Sequence, residues 1–320
     1  MSRSILAAVL VCCAASALAQ TFPGRPVRFY VPSPPGSAPD LIMRTLGEHL
    51  SQSWGQPIIV ENRPGAAGIL SNIQFLKLPA DGYAYTFASS AVLTIHPTYY
   101  KNLPYDTEKE LQPVIDLSNT YWILATGKDG PIKSLKDLVT QAKANPGKLT
   151  YGTQGAGSAD YVSIELFRMK TGLDMLHVPF KDSIQMMTAV VRGDVTTMLV
   201  TYSGTPKGVR DRLTLLGVAA RERKPLIPGV PTIEEVGGPA GFETSVYGLL
   251  ATRRGIPRDI LQRVHADIVR AHQTPEMQKK LEGLNIQPTQ GKTPEELEKF
   301  LREELEKYRE VIARTGQGEL

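Results

Sequence analysis

Two glycine-rich loops hold the residues of this chain best placed to do chemistry. Pro34-Pro35-Gly36-Ser37-Ala38-Pro39-Asp40 and Gly152-Thr153-Gln154-Gly155-Ala156-Gly157-Ser158-Ala159-Asp160 each leave a β-rich run and open a helical pattern. The first turn of a helix presents N–H groups without partners and a partial positive charge, so it attracts a carboxylate or phosphate. Glycines let the backbone come close to such an anion. Ser37 and Asp40 have the spacing of a capping box, and Ser158 stands where the second helix needs its cap. The chemistry on offer is recognition of an anion. One such loop is a common turn in α/β proteins, but two in successive lobes would clamp an anion from opposite sides.

Bond-making chemistry lacks the spacing to organise it. A secreted hydrolase is the main rival reading, with Ser158 at a tight loop-to-helix turn and His96 and His177 elsewhere. A nucleophile elbow needs glycine two residues either side of its serine, and Ala156 and Asp160 stand there. No H-E-x-x-H occurs, and His265 and His272, seven apart on a predicted helix, are expected at the surface. The dinucleotide pattern G-x-G-x-x-G fails at Asp160 when begun from Gly155, and G-x-x-x-x-G-K-[ST] is absent. Both cysteines, Cys12 and Cys13, fall in the N-terminal export segment, which removes thiolates from the mature chain. The reading is a non-enzyme with no cofactor and no metal.

Strand-like and helix-like segments alternate, which argues for α/β architecture. Val27 to Val31 is a strand, and Ile42, Leu46 and Leu50 mark one face of the helix that follows. Ile58-Ile59-Val60 and Tyr83 to Phe87 are further strands. A second cycle runs from a strand at Trp122 to Ala125, through a helix at Leu135 to Ala144, to Leu149-Thr150-Tyr151. The helix after the second loop carries Val162, Leu166 and Met169 and stops at Gly172. Ser183 to Val191 is helical, and Val195 to Val200 is a buried strand. Thr293-Pro294-Glu295-Glu296 then starts a last helix, whose apolar stripe includes Leu297, Leu301, Leu305 and Tyr308.

Arg3, an apolar run and Ala17-Leu18-Ala19 have the form of a cleaved secretory signal over 1–19, which places the mature chain in the periplasm. The net charge is +4, and loss of Arg3 lowers it by one. Basic residues are scattered without interleaved aromatics, so no nucleic-acid partner is expected. A chain of 320 residues without mature cysteines must be stable through its core alone, and this length divides into two domains.

Read in order, these segments resemble the substrate-binding receptors of tripartite tricarboxylate transporters, the Bug-type family. The resemblance rests on Arg25-Pro26-Val27-Arg28, the first loop, and Val60-Glu61-Asn62-Arg63-Pro64-Gly65-Ala66-Ala67-Gly68. Asp81-Gly82-Tyr83, Leu103-Pro104-Tyr105-Asp106, Ala144-Asn145-Pro146-Gly147, His177-Val178-Pro179-Phe180 and Gly229-Val230-Pro231-Thr232 continue it across the mature chain. It implies a periplasmic binding protein type II-like fold, with two Rossmann-like lobes and a ligand cleft between them. It also implies capture of a small carboxylate for integral-membrane transporter subunits. Carried over, the ligand contacts are Gly36, Ser37, Ala38 and Asp40 in the first lobe and Gly155, Gly157 and Ser158 in the second. Ser89 and Ser90 are expected to face the same cleft. The chain departs from the family pattern at Ser37, where a second glycine is usual, and at Asp160 and Tyr161, where a small polar residue and a histidine are usual. Asp160 would then pair with a ligand ammonium or turn away, and Tyr161, Trp122, Phe180 and Tyr202 would line an aromatic-tolerant cleft.

The expected organisation is residues 20–118 and 229–292 in lobe 1, 119–228 in lobe 2, and 293–320 as a C-terminal helix packing across both. Val114 to Ser118 and the passage after Val218 are the expected crossings. The protein is read as a monomer, and a membrane sensor kinase is the alternative partner. Gly157→Val is expected to abolish binding without lowering the melting temperature.

Overall fold

The computed structural model describes residues 22–283, 286, 289 and 291–316, so the expected signal over 1–19 lies outside the described residues. Nine strands are found among them: β1 (Val27–Val31), β2 (Ile58–Asn62), β3 (Ala84–Ser89), β4 (Leu111–Gly127), β5 (Thr150–Thr153), β6 (Leu176–Pro179), β7 (Thr197–Thr201), β8 (Leu213–Val218) and β9 (Ser245–Arg253). The longer helices are α1 (Ala38–Trp54), α2 (Ile69–Phe75), α3 (Leu135–Ala144), α4 (Ala159–Thr171), α5 (Ser183–Arg192), α6 (Arg258–His272), α7 (Pro275–Gly283) and α8 (Pro294–Thr315).

The strands join in one sheet of order β2-β1-β3-β9-β4-β7-β5-β6, with β8 also on β4. β1 pairs parallel with β2 and β3, and β5 pairs parallel with β6 and β7, so each half has the strand–helix–strand winding of an open α/β sheet. β4 links the halves. Its first part, Leu111 to Tyr121, pairs with β9, and its second, Trp122 to Gly127, pairs with β7 and β8. The sequence reading split this strand into a crossing at Val114–Ser118 and a separate strand at Trp122–Ala125. Ser118, Asn119 and Thr120 broke the apolar pattern: all three border the cavity described below, and Ser118 and Asn119 also border a second one.

Alternation along β4 sorts its side chains between two faces. Trp122 and Leu124 join Leu135, Val162, Phe167 and Leu199, while Ile123 and Ala125 join Met186, Met198 and Val200. On the other half, Phe29 and Val31 pack with Ile42, Leu46 and Leu50 of α1, the face expected from their spacing. Gly172 ends α4 in the left-handed conformation, as its position implied. Val230 packs with the second-half core, and Ile233 and Phe242 pack with Leu135 and Phe167, so the chain returns to the first half at β9.

α8 begins with the expected capping box between Thr293 and Glu296, a pairing worth about 1 kcal/mol. Leu297 and Leu301 pack on Ala88, Leu93 and Tyr247, whereas Tyr308, Val311 and Ile312 enter the second-half core. His272 corrects the expectation of a surface position. It is buried, and its Nδ1–H donates to the Ile268 carbonyl at 2.9 Å.

Candidate functional site

Chain turns from both halves converge at the carboxyl edge of the parallel strands. β1 leads into the first loop, β3 ends at Ser89, β5 leads to Gln154, and β7 leads to Ser203 and Thr205. Crevices form at this edge because connections diverge to opposite faces of the sheet, and ligands of open α/β proteins bind there. Here the crevice is a cavity of about 320 Å³, at the small end of small-molecule sites. Ile42, Phe87, Trp122, Met186, Met187 and Leu199 supply apolar wall, and Ser89, Ser118, Asn119, Gln154, Ser203 and Thr205 supply polar groups. Among the described residues that line it, none is Asp, Glu, Lys, Arg or His.

The first loop is shaped from behind by a carboxylate. Asp40 is buried and accepts from the Gly36 amide at 2.8 Å, from Asn62 Nδ2 at 2.8 Å and from Arg44 Nε at 3.0 Å. Burial opposes its ionisation, but the bonds from Arg44, Gly36 and Asn62 outweigh that and hold the carboxyl below its usual range. The expected Ser37–Asp40 capping box does not form, because Ser37 Oγ donates to the Pro34 carbonyl at 2.7 Å. α1 therefore opens without a side-chain cap, and Ala38 and Pro39 of its first turn line the cavity.

The second loop is satisfied internally. Ser158 caps α4 as expected, accepting from the Tyr161 amide at 3.4 Å. Asp160 is buried and accepts from the Gln154 amide at 2.8 Å, while the Gly155 amide donates to Thr153 Oγ1 at 3.1 Å. Burial pushes the Asp160 carboxyl above its usual value, against the bonds that it accepts. Thr153 Oγ1 also lies 2.7 Å from His177 Nε2, and the His177 ring stacks on Tyr151.

Of the residues expected to hold ligand, Ala38 and Ser89 line the cavity. Gly36, Ser37, Gly155, Gly157 and Ser158 belong to its two loops without lining it. The Gly36 amide is spent on Asp40, and those of Ser37, Gly155 and Ser158 on Pro34, Thr153 and Gly155. Asp40 and Asp160 brace the loops from within, and Ser90 is buried away from the cleft. Tyr161 borders a different cavity beside Glu165 and Arg168, with its ring 4.9 Å from His177. Tyr202 lies under the Arg210 guanidinium at 3.9 Å, and Phe180 packs in the second-half core. Trp122 does line the cavity.

Sequence reasoning passed over Ser118, Asn119, Ser203 and Thr205, and over Gln154 as a contact although it sits inside the quoted loop. Ser203-Gly204-Thr205 carried a legible signal, a glycine flanked by hydroxyls just after a buried strand.

The profile of the tripartite tricarboxylate transporter family receptor matches residues 42–317. The chain belongs to this receptor family. BugT of Bordetella pertussis is 29% identical to it over 95% of this chain and 93% of its own length. A Rhodopseudomonas palustris protein of the same fold, MatC with bound malate, is 26% identical with a TM-score of 0.77, covering 91% of this chain and 100% of its own. An R. palustris structure with adipate is 27% identical with a TM-score of 0.81, covering 94% and 100%. The two-lobe type II-like architecture expected from the sequence agrees with these neighbours.

Two glycines of the receptor fold constrain any test of the site. Gly157 has φ of 82°, and a Cβ there would lie 2.8 Å from a Tyr99 ring carbon. Gly157→Val would thus strain the backbone and crowd Tyr99, so the expectation of an unchanged melting temperature is withdrawn. Gly248, between Ser89 of β3 and Ser118 of β4, lies under the Phe87 ring, where an added Cβ would approach a ring carbon to 2.0 Å. Phe87 also lines the cavity. Gly248→Ala is expected to cost about 1–3 kcal/mol and to weaken ligand binding about tenfold by driving Phe87 inward. Urea unfolding and calorimetric titration check this, and native affinity in the variant would contradict it.

Proposed function

We propose that this chain is a non-enzymatic periplasmic receptor, exported through a cleaved signal, that captures a small carboxylate and delivers it to membrane transporter subunits. The observation that carries this reading is the open amino end of α1 on a cavity whose lining holds no charged side chain. An N-terminal helix end attracts an anion without a counter-ion, and Ser89, Asn119 and Gln154 add neutral donors. Relatives solved with adipate and malate support a carboxylate. Lobe 1 in this proposal comprises residues 20–118 and the chain from Ser245 to 292, with 119–244 as lobe 2 and α8 bridging them. The boundary moves from 229 because Val230, Ile233 and Phe242 pack in the second half.

A thermal-shift screen of mature protein stripped of carried-over ligand tests the function. A carboxylate at about 100 times its Kd stabilises the fold by about 2.7 kcal/mol, a shift of several degrees, and should be recovered unchanged. No stabilisation by any mono-, di- or tricarboxylate, or turnover of the ligand, would overturn the proposal.

A further inference from the structure

We propose, resting on the receptor reading above, that Arg210 is a positioning residue for the ligand. It ties back two carbonyls of the loop after β7, so that this loop meets a bound carboxylate with the Ser203 amide and hydroxyl. The loop gives the first argument. Thr201, Ser203, Gly204 and Thr205 line the cavity. Each peptide unit carries an acceptor as well as a donor, and a carbonyl oxygen turned on a carboxylate would repel it. Three carbonyls here are taken up instead. Thr205 Oγ1 donates to the Thr201 carbonyl at 2.7 Å, and Arg210 Nη1 donates to those of Tyr202 and Thr205 at 2.9 Å each.

Arg210 gives the second argument. It ends the short helical turn Lys207–Arg210 and is not among the residues that line the cavity. Its guanidinium lies 3.9 Å from the centre of the Tyr202 ring, and a planar group stacked on an aromatic face holds its donors in fixed directions. No carboxylate pairs with it among the described residues, and neighbouring Asp211 pairs with Lys207 at 2.7 Å. The hydrogen bonds of this cation go to the loop.

Ser203 gives the third argument. In a planar trans peptide the N–H points opposite to the carbonyl of the preceding residue. The Tyr202 carbonyl meets Arg210, so the Ser203 N–H is directed away from the guanidinium. The Gly204 amide donates to Thr201 Oγ1 at 3.1 Å, whereas the Ser203 amide has no partner among the described residues. An amide and a hydroxyl on one residue of the cavity wall make a two-point donor for a carboxylate.

Two measurements on the full mature protein test the proposal. Without added ligand, hydrogen exchange at the Gly204 amide is expected to quicken about tenfold in Arg210→Ala, while β4 and β7 keep native protection. Calorimetric titration then uses whichever of adipate, malate, citrate and benzoate stabilises native protein most. Arg210→Ala is expected to bind it about tenfold more weakly. Arg210→Lys keeps the charge without the planar fork and is expected to fall between. Arg210 is half-buried, and the urea midpoint should stay close to native in both variants. Native affinity in either folded variant, whatever its stability, would overturn the proposal and leave the receptor reading standing. Native exchange at Gly204 in Arg210→Ala would also overturn it, since the loop would then hold its shape unaided. Binding of none of the four acids to native protein would overturn the receptor reading together with this inference.

Discussion

Asp40→Ala is expected to cost about 2–4 kcal/mol of stability and to weaken ligand binding by at least about tenfold. The carboxylate holds the Gly36 amide, Asn62 and Arg44 together. Charge-assisted bonds of this kind contribute about 1.5–3 kcal/mol each, but Gly36 and Arg44 reach solvent and recover part of the loss in water. What water does not restore is the shape of the loop that leads into the open end of α1. Asp40→Asn keeps an acceptor oxygen and should fall between native and alanine. Urea denaturation with calorimetric titration separates the two effects. An alanine variant of native stability and affinity would show that Asp40 does not brace the loop.

Acid should weaken the fold in two stages, and His96 governs the first. The imidazole is 1% exposed, and burial pushes its pKa down to about 4 from an ordinary 6.5. The unfolded chain takes up the proton first, so this contribution is fully present above about pH 6.5 and is lost as pH falls through about 4. At about 1.4 kcal/mol per pKa unit, the loss is roughly 3 kcal/mol. His272 is shifted in the same direction by burial. The lowered carboxyl of Asp40 acts in the second stage, with stability present above its ordinary value of 3.8 and lost as pH falls through the lower folded one. His96→Phe removes the titrating group, and Nδ1, which has no partner among the described residues, loses no hydrogen bond. Unfolding free energies between pH 7.5 and 4 should be flatter in this variant, and parallel curves would refute the assignment.

Much of the architecture was legible because it rests on local rules. Apolar spacing over Ile42, Leu46 and Leu50 located the core face of α1, and Thr293 with Glu296 announced the start of α8. The loops were legible as strand-to-helix turns for the same reason. Their hydrogen-bond direction was not. Whether the Gly36 amide meets a ligand or Asp40 depends on a side chain one turn into the helix, and both outcomes fit the same glycine-rich string. Ser118 and Asn119 were hidden for a tertiary reason. Polar residues inside a strand read as a break until the opposing half supplies the cavity that they face. The burial of His272 was equally invisible, because its partner is the carbonyl of its own helix and its neighbours come from distant segments.

β4 bears on how this molecule can respond to load. Its 17 residues pass through both halves as a single bonded strand, so the seam resembles a leaf spring more than a slack tether. Such a plate resists sliding and yields by torsion. Its give concentrates where the ladder is already irregular, between Pro113 and Ile115, between Asp116 and Ser118, and between Leu124 and Ala125. Those interruptions bracket Ser118, Asn119, Thr120 and Trp122, which line the cavity. Torsion at those points would therefore act directly on whatever the cavity holds.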